Sequence, residues 1–306
     1  MEPPFDRRRF LIDAISSQTF VPKGAKIRLK IGGIRIDWTT PSPHSFKILN
    51  RVYGEYRIAD EDLSLPQGEL FSLPFTTDSM GSMGSTLWDD PDPEFDFREE
   101  SVVQRDFVAK RKGTRAVALL APDLEDAVHN CLRWFLPKYL LSHSSFLLHG
   151  AAVVKNGLGY VFFGQSGAGK STTVDMISQA DPESTVIGDD VVILHFDQKV
   201  GEARVITAPL GRGDTRVPPP DYNVPLAGLY PIQQHSTHKF EALSLSERVS
   251  ALLGSAMTTK WDYETDARFD LAAAIAMAPI NFNRIYLKKD PDFWPLILTQ
   301  RMEKNP

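Results

Sequence analysis

Over the first 120 residues, hydrophobic positions alternate with polar ones, the two-residue period of a half-buried β-strand. Ile27, Leu29 and Ile31 alternate with Arg28 and Lys30. After Gly32-Gly33, Ile34, Ile36 and Trp38 alternate with Arg35 and Asp37. Two such runs around a two-glycine link predict a hairpin. Val102–Ala109 and Thr114–Leu120, turned at Lys110–Gly113, predict a second. Between the hairpins, residues 76–100 are rich in Gly, Ser, Asp and Pro and keep no period. That composition predicts a mobile acidic loop, with Asp89–Asp96 a solvated run rather than a metal site.

The period then changes. Leu124, Val128, Cys131, Phe135 and Tyr139 recur at helical spacing. Asp123 suits the N-cap, and Pro137 predicts a kink or an end. This helix divides a β-rich N-terminal domain, 1–120, from an α/β domain, 121–306. In the second domain the strands Phe146–Val154 and Tyr160–Phe163 join at Asn156-Gly157. A helix over Lys170–Ala180 and a strand over Thr185–Ile187 follow. Val191–Phe196 and Ala203–Ala208 predict a hairpin around Gln198–Gly201. After a loop over 209–225 come a strand at Leu226–Ile232, a helix at Ser246–Thr258 with Ser246 as N-cap, and a helix at Asp266–Met277. A strand at Arg284–Leu287 and a helix at Asp290–Arg301 end the chain. The fold class is mixed α/β.

Composition narrows the function. The chain has 306 residues, enough for one large or two ordinary domains. Its 34 basic and 39 acidic residues give a net charge of −5, which lacks the basic excess of a nucleic-acid binder. The one cysteine, Cys131, excludes an intrachain disulfide and a cysteine-based metal cluster. No signal-like apolar run opens the chain, and no stretch reaches the roughly 18 apolar residues of a membrane span. The expectation is a cytoplasmic protein with neither nucleic acid nor membrane as partner.

Candidate chemistry concentrates in YVFFGQSGAGKST, residues 160–172. Gly164, Gln165, Ser166, Gly167, Ala168, Gly169, Lys170 and Ser171 fit the phosphate-loop pattern GxxxxGK(S/T). An apolar strand precedes it and a helix-competent segment follows, as the motif requires. The glycines let backbone N–H groups converge on one centre, and the helix start adds its positive end. Lys170 can reach the β- and γ-phosphates, and the Ser171 hydroxyl is a hard oxygen ligand for Mg²⁺. Asp189 and Asp190 end the next apolar strand, where a metal-holding acid belongs. One carboxylate of such a pair can hold metal while the other accepts a substrate proton. Only 19 positions separate Lys170 from Asp189, and no LSGGQ-like or NKxD segment occurs, which argues against transporter-type ATPases and GTPases. His149 lies on the strand before the loop. If that strand pairs with the loop's strand through Asn156-Gly157, His149 comes near the phosphates.

LLHGAAVVKNGLGYVFFGQSGAGKST followed by VIGDDVVIL resembles the catalytic domain of HPr kinase/phosphorylase and its related group. It is similar, too, to the ATP-dependent phosphoenolpyruvate carboxykinases. The resemblance covers roughly residues 120–260. It implies a carboxykinase-like P-loop domain that uses ATP and Mg²⁺. Gly164 to Thr172 would hold the nucleotide; Ser171, Asp189 and Asp190 would hold metal; His149, Lys170, Asp189 and Asp190 would be catalytic. Arg212, in APLGRGDTR, would contact phosphate, with Arg216 nearby. Thr172 stands where HPr kinase/phosphorylase carries Glu, which removes the basis for expecting phosphorylase activity. The implied activity is an ATP-dependent kinase acting on a hydroxyl of a protein, peptide or small molecule. A non-catalytic ATP-binding regulatory module is the alternative, and a carboxykinase is third. Relatives assemble, so a homo-oligomer stays open.

Overall fold

The alternation in the first 120 residues builds a seven-stranded mixed sheet. The computed structural model of the chain describes residues 24–59, 65, 67–74, 94–96, 100–104, 107–120, 125–211, 219–220, 222–257 and 265–302. It is a mixed α/β protein with six α-helices and two mixed sheets among the described residues. Most of the acidic segment 76–100, the capping position Asp123, and Arg212 and Arg216 lie outside the described residues. The chain divides into two compact units, Met1–Leu136 and Pro137–Pro306.

In the N-terminal unit, Ala25–Ile31 (β1) and Ile34–Thr40 (β2) form the expected hairpin. Gly32 and Gly33 turn it with φ of 61° and 78°, the left-handed region glycine enters freely. Gln67–Pro74 (β3), Glu94–Asp96 (β4), Ser101–Val103 (β5), Phe107–Lys112 (β6) and Arg115–Leu120 (β7) complete the sheet, in the order β1-β2-β3-β7-β6-β5-β4. The single strand expected over Val102–Ala109 is two strands. Val102 pairs antiparallel with Ala109, and the Gln104 N–H donates to Phe107 O at 2.8 Å. β2 runs parallel to β3, so the chain must cross over between them. It does so through helix Pro43–Tyr53 (α1), which the alternation did not predict. Ser42 caps α1 by accepting from Ser45 N–H, and Pro43 occupies the first turn, where no N–H is needed.

Of the two outcomes expected at Pro137, helix Glu125–Ser142 (α2) rules out an end, since the helix continues through it. The proline ring forfeits a backbone bond and crowds the preceding turn, at a cost of about 3 kcal/mol. Phe135, Leu136 and Leu140 beside it are fully buried, each worth roughly 1.5–3 kcal/mol, which outweighs that cost.

The C-terminal unit follows as Ser145–Lys155 (β8), Leu158–Phe163 (β9), helix Lys170–Ala180 (α3), Thr185–Gly188 (β10), Val191–Asp197 (β11) and Glu202–Ile206 (β12). Then come Asn223–Gln234 (β13), Lys239–Ala242 (β14), helix Leu245–Ser255 (α4), Ala256–Met257 (β15), helix Thr265–Met277 (α5), Asn281–Leu287 (β16) and helix Phe293–Met302 (α6). β8 is the organising strand. Its residues 150–155 pair with β9 on one flank, while β10 and then β11 run antiparallel along the other. Followed onward, the pairings β9–β13, β13–β12, β12–β11 and β11–β8 close on themselves. Phe146, Leu148, Val161, Phe163, Val192 and Leu194 share one core with Val249, Leu252, Leu271 and Ile275 of α4 and α5. A second core joins Phe162 and Tyr230 to Val174 and Ile177 of α3 and to Phe293 and Trp294 of α6.

Two helix starts differ from expectation. Ser244, not Ser246, caps α4, in a reciprocal capping box with Glu247. α6 starts at Phe293 rather than Asp290, because the Asp290 carboxylate is engaged in the turn before it, with Lys288, His238 and the Asp292 N–H. Strand β14 was not expected. No helix among the described residues is long and apolar enough to cross a membrane.

Candidate functional site

The site forms where β9, β13 and β16 end. These three strands run parallel, Pro231 beside Phe163 and Gln234 beside Leu287. In α/β proteins, ligand sites gather at the carboxyl ends of parallel strands, where the strand-to-helix loops begin. The chain leaves β9 at Gly164 and turns through Gln165–Gly169 into α3. Gly164, Gly167 and Gly169 have φ of 144°, 79° and 99°, a path that side chains resist. A Cβ at Gly164 would also stand 3.1 Å from Ile232 O on β13. Gly169 is the N-cap of α3, and the first intrahelical bond is Thr173 N–H to Gly169 O at 2.8 Å. The amides of Lys170, Ser171 and Thr172 precede that bond, as the first donors of a helix do, and favour an anion.

Lys170 is 7% exposed. Its Nζ donates to Gly164 O and Gln165 O, both at 3.0 Å. Burial pulls its pKa below the ordinary lysine value, and the Asp190 and Asp189 charges oppose the shift. Ala168 N–H closes the loop onto Gln165 O at 3.1 Å.

The acid pair sits on the far flank of β8. β10 and β11 follow one another along β8, and Asp189-Asp190 fills the interruption between them. Gly150 N–H donates to Asp190 O at 3.2 Å, which fixes this point against β8. Asp190 has φ of 79°, a left-handed conformation that Asp tolerates better than most residues. The Ser171 hydroxyl donates to Asp189 Oδ1 at 2.7 Å. His149 pairs with Val191 across β8 and β11, next to Gly150, which pairs with Phe163 at the start of the loop. Its Nε2 lies 3.3 Å from Asp190 Oδ1, and its side chain is 36% exposed. A Cβ at Gly150 would come within 3.0 Å of Phe162 O, so glycine there lets the strands approach closely.

His149, Ser166, Gly167, Gly169, Lys170, Ser171, Thr172, Asp189 and Asp190 line one cavity of about 360 Å³. So does Gln234, which the sequence reading missed. Its Nε2 donates to Gly167 O at 2.8 Å and holds the crown of the loop. No local motif marks Gln234; only the parallel pairing of β13 with β9 brings it there.

Among the described residues no group of three or more His, Cys, Asp or Glu side chains could hold a metal by itself. The donors that are present, the Ser171 hydroxyl and the Asp189 carboxylate, are hard oxygens at one point of the cavity wall. That set fits Mg²⁺, which takes one or two protein ligands and completes its shell with phosphate oxygens and water. Compared with known proteins, the chain matches no family model and no curated protein.

Proposed function

We propose that the chain is an ATP-dependent kinase of the HPr-kinase-related group, with that group's carboxykinase-like catalytic fold and a cytoplasmic setting. One observation carries the reading. The phosphate loop, the Ser171–Asp189 contact and the His149–Asp190 pair all open on the same cavity. Phosphoryl transfer asks little covalent chemistry of a protein; it asks for positioning and charge neutralisation. The loop amides and Lys170 bind the phosphate chain. Ser171 and Asp189 would hold Mg²⁺, which neutralises charge on the β- and γ-phosphates. Asp190, turned by its left-handed backbone and flanked by His149, accepts the proton of the acceptor hydroxyl. The acceptor oxygen then bonds to the γ-phosphorus, the bond to the β-phosphate oxygen breaks, and ADP leaves.

The test uses the full chain with γ-labelled ATP, Mg²⁺ and fractionated cell extract. Label should move to an acid-stable ester on a protein, peptide or small hydroxyl compound. ADP and free phosphate without any labelled acceptor would favour a regulatory ATP-binding module. ATP turnover that needs oxaloacetate would favour a carboxykinase.

A further inference from the structure

A cavity of about 670 Å³ lies at the other end of the parallel strands. Leu158 begins β9, Asn281 begins β16, and Leu226 and Ala227 belong to the first half of β13; all four line it. The phosphate loop leaves the far end of β9, about 17 Å away at roughly 3.3 Å per residue. The two cavities share no lining residue.

The charged groups of this cavity are unequally matched. Glu202 is already answered, since its Oε2 accepts from Arg204 Nη1 at 2.6 Å. Arg248 is not. Its Nε donates to Leu243 O at 3.1 Å and its Nη1 to Ala276 O at 3.4 Å, and the guanidinium lies 5.6 Å from the Phe282 ring centroid. These contacts fix it between α4 and the end of α5, yet among the described residues no carboxylate pairs with it and Nη2 carries no bond. Asn281 is the third polar side chain of the wall. Beside it lies the Tyr230 hydroxyl, fully buried and without a hydrogen bond of good geometry. Burial and Tyr160 raise the pKa of that hydroxyl, and the neighbouring Asn281 side chain opposes the shift. Glycine at 228 makes room for the phenol, because a Cβ there would stand 2.3 Å from its oxygen. A buried O–H needs an acceptor, so the Asn281 amide oxygen belongs on the Tyr230 side and its two N–H donors on the cavity side.

We infer that this cavity binds a small organic monocarboxylate with an apolar body. Arg248 Nη2 and the Asn281 amide hold the carboxylate, and Leu158, Leu226 and Ile280 receive the body. The inference is independent of the kinase reading. An anion fits because Arg248 is a fixed cation without a counter-ion, and a charge-assisted bond is the strong kind. One negative charge fits better than two, because Glu202 on the same wall repels a second. The apolar side chains leave a ligand that is polar all round without partners on that wall.

Equilibrium binding of N-acetyl-leucine and of its neutral isostere N-acetyl-leucinamide to the full chain tests this. The carboxylate should bind with a Kd of about 1 mM or tighter, and at least about tenfold tighter than the amide. Arg248→Met should erase that preference. Asn281→Asp keeps an acceptor for Tyr230 but replaces the donors with a charge, and should weaken the carboxylate by about tenfold or more while the amide changes little. Unchanged unfolding midpoints certify the variants, and Asn281→Asp decides if Arg248→Met does not fold. Excess Mg-tripolyphosphate should not displace the carboxylate; displacement would put the ligand in the phosphate loop and overturn the inference. No binding by the wild-type chain, equal affinity for the two ligands, or tighter binding of inorganic phosphate than of the carboxylate would overturn it as well. So would a preference for the carboxylate that survives in the folded variants, which would leave Arg248 with only its structural bonds to α4 and α5.

Discussion

Asp37 in the N-terminal unit and Lys170 in the C-terminal unit are 3% and 7% exposed, but their surroundings differ in kind. Asp37 accepts from Arg28 Nε and pairs with Lys26 Nζ, both at 2.8 Å, with Arg35 Nε at 3.5 Å and Gln67 Nε2 at 3.1 Å. Burial pushes its carboxyl up, and the bonds from Arg28 and Lys26 outweigh burial and hold it below the usual carboxylate value. Lys170 has no carboxylate within bonding distance among its described contacts; two main-chain carbonyls take its protons. Burial therefore wins, and its ammonium is harder to keep charged than an ordinary lysine's. A buried ion with its counter-ions built into the chain is complete. A buried cation whose direct bonds are all to carbonyls has no bonded counter-ion, and on the proposed kinase reading a phosphate chain would supply one. The first arrangement holds a fold; the second fits the proposed phosphate site.

The largest effect expected from that contrast is at Lys170. Lys170→Ala should lower phosphoryl transfer by about 10³-fold or more, the scale of a lost transition-state charge contact. Melting temperature should fall far less than transfer does, since no buried counter-ion is left unpaired. Near-normal transfer by a folded Lys170→Ala protein would break the contrast.

Asp37→Ala should do the reverse. Removing the carboxylate takes a counter-ion from the half-buried Arg28 and the buried Arg35, and breaking a buried pair costs about 3–5 kcal/mol. Denaturant unfolding should show that loss, while turnover per folded molecule stays normal. Lost turnover at unchanged stability would place Asp37 in a functional role and erase the distinction.

How much of this could be read beforehand depended on how local each cause is. The β1–β2 hairpin and α3 were legible because a glycine pair and a phosphate loop act within a few residues. The α4 start was misread by two positions, although Ser244 and Glu247 carry the spacing of a capping box. α1 left a legible signal in Ser42-Pro43 that strand alternation on either side masked. Whether Pro137 would end its helix was not legible, because the burial on both sides of it that carries the helix through is a tertiary effect. Within the site, the loop and the acid pair were legible as motifs. The partnership of His149 with Asp190 and the reach of Gln234 to Gly167 were not, since both depend on which strands become neighbours.

His149 sharpens the comparison at intermediate size. Its imidazole is partly exposed at the cavity wall, unlike His129 of the N-terminal unit, which is buried against the Tyr53 hydroxyl at 2.9 Å. Burial, aided by Arg133, pushes the His129 pKa down to about 4, so that ring stays neutral and structural. His149→Asn should cut turnover by roughly 10², the range of a lost acid–base or orienting group, with little change in melting temperature. Stability loss with normal turnover would make His149 a packing residue instead.

The smallest effect separates two serines. Ser72 in the N-terminal unit accepts from Trp38 Nε1 at 2.7 Å, in a buried contact. Ser171 donates to Asp189 Oδ1 at the same distance, at an exposed cavity wall. Ser72→Ala leaves a buried indole N–H unpaired and should cost about 1–3 kcal/mol whether or not nucleotide is present. Ser171→Ala should leave the melting temperature of the ligand-free chain nearly unchanged. Its effect should emerge only with Mg-ATP, because a ligand that binds the folded state alone stabilises by mass action. Losing one metal-side oxygen, taken as a tenfold loss of Mg-ATP affinity, lowers that stabilisation by about 1.4 kcal/mol at saturating ligand. In EDTA the wild-type and Ser171→Ala chains should respond to ATP alike. An equal difference with and without Mg²⁺ would show that Ser171 serves the loop's own structure, as Ser72 serves its sheet, and not a metal.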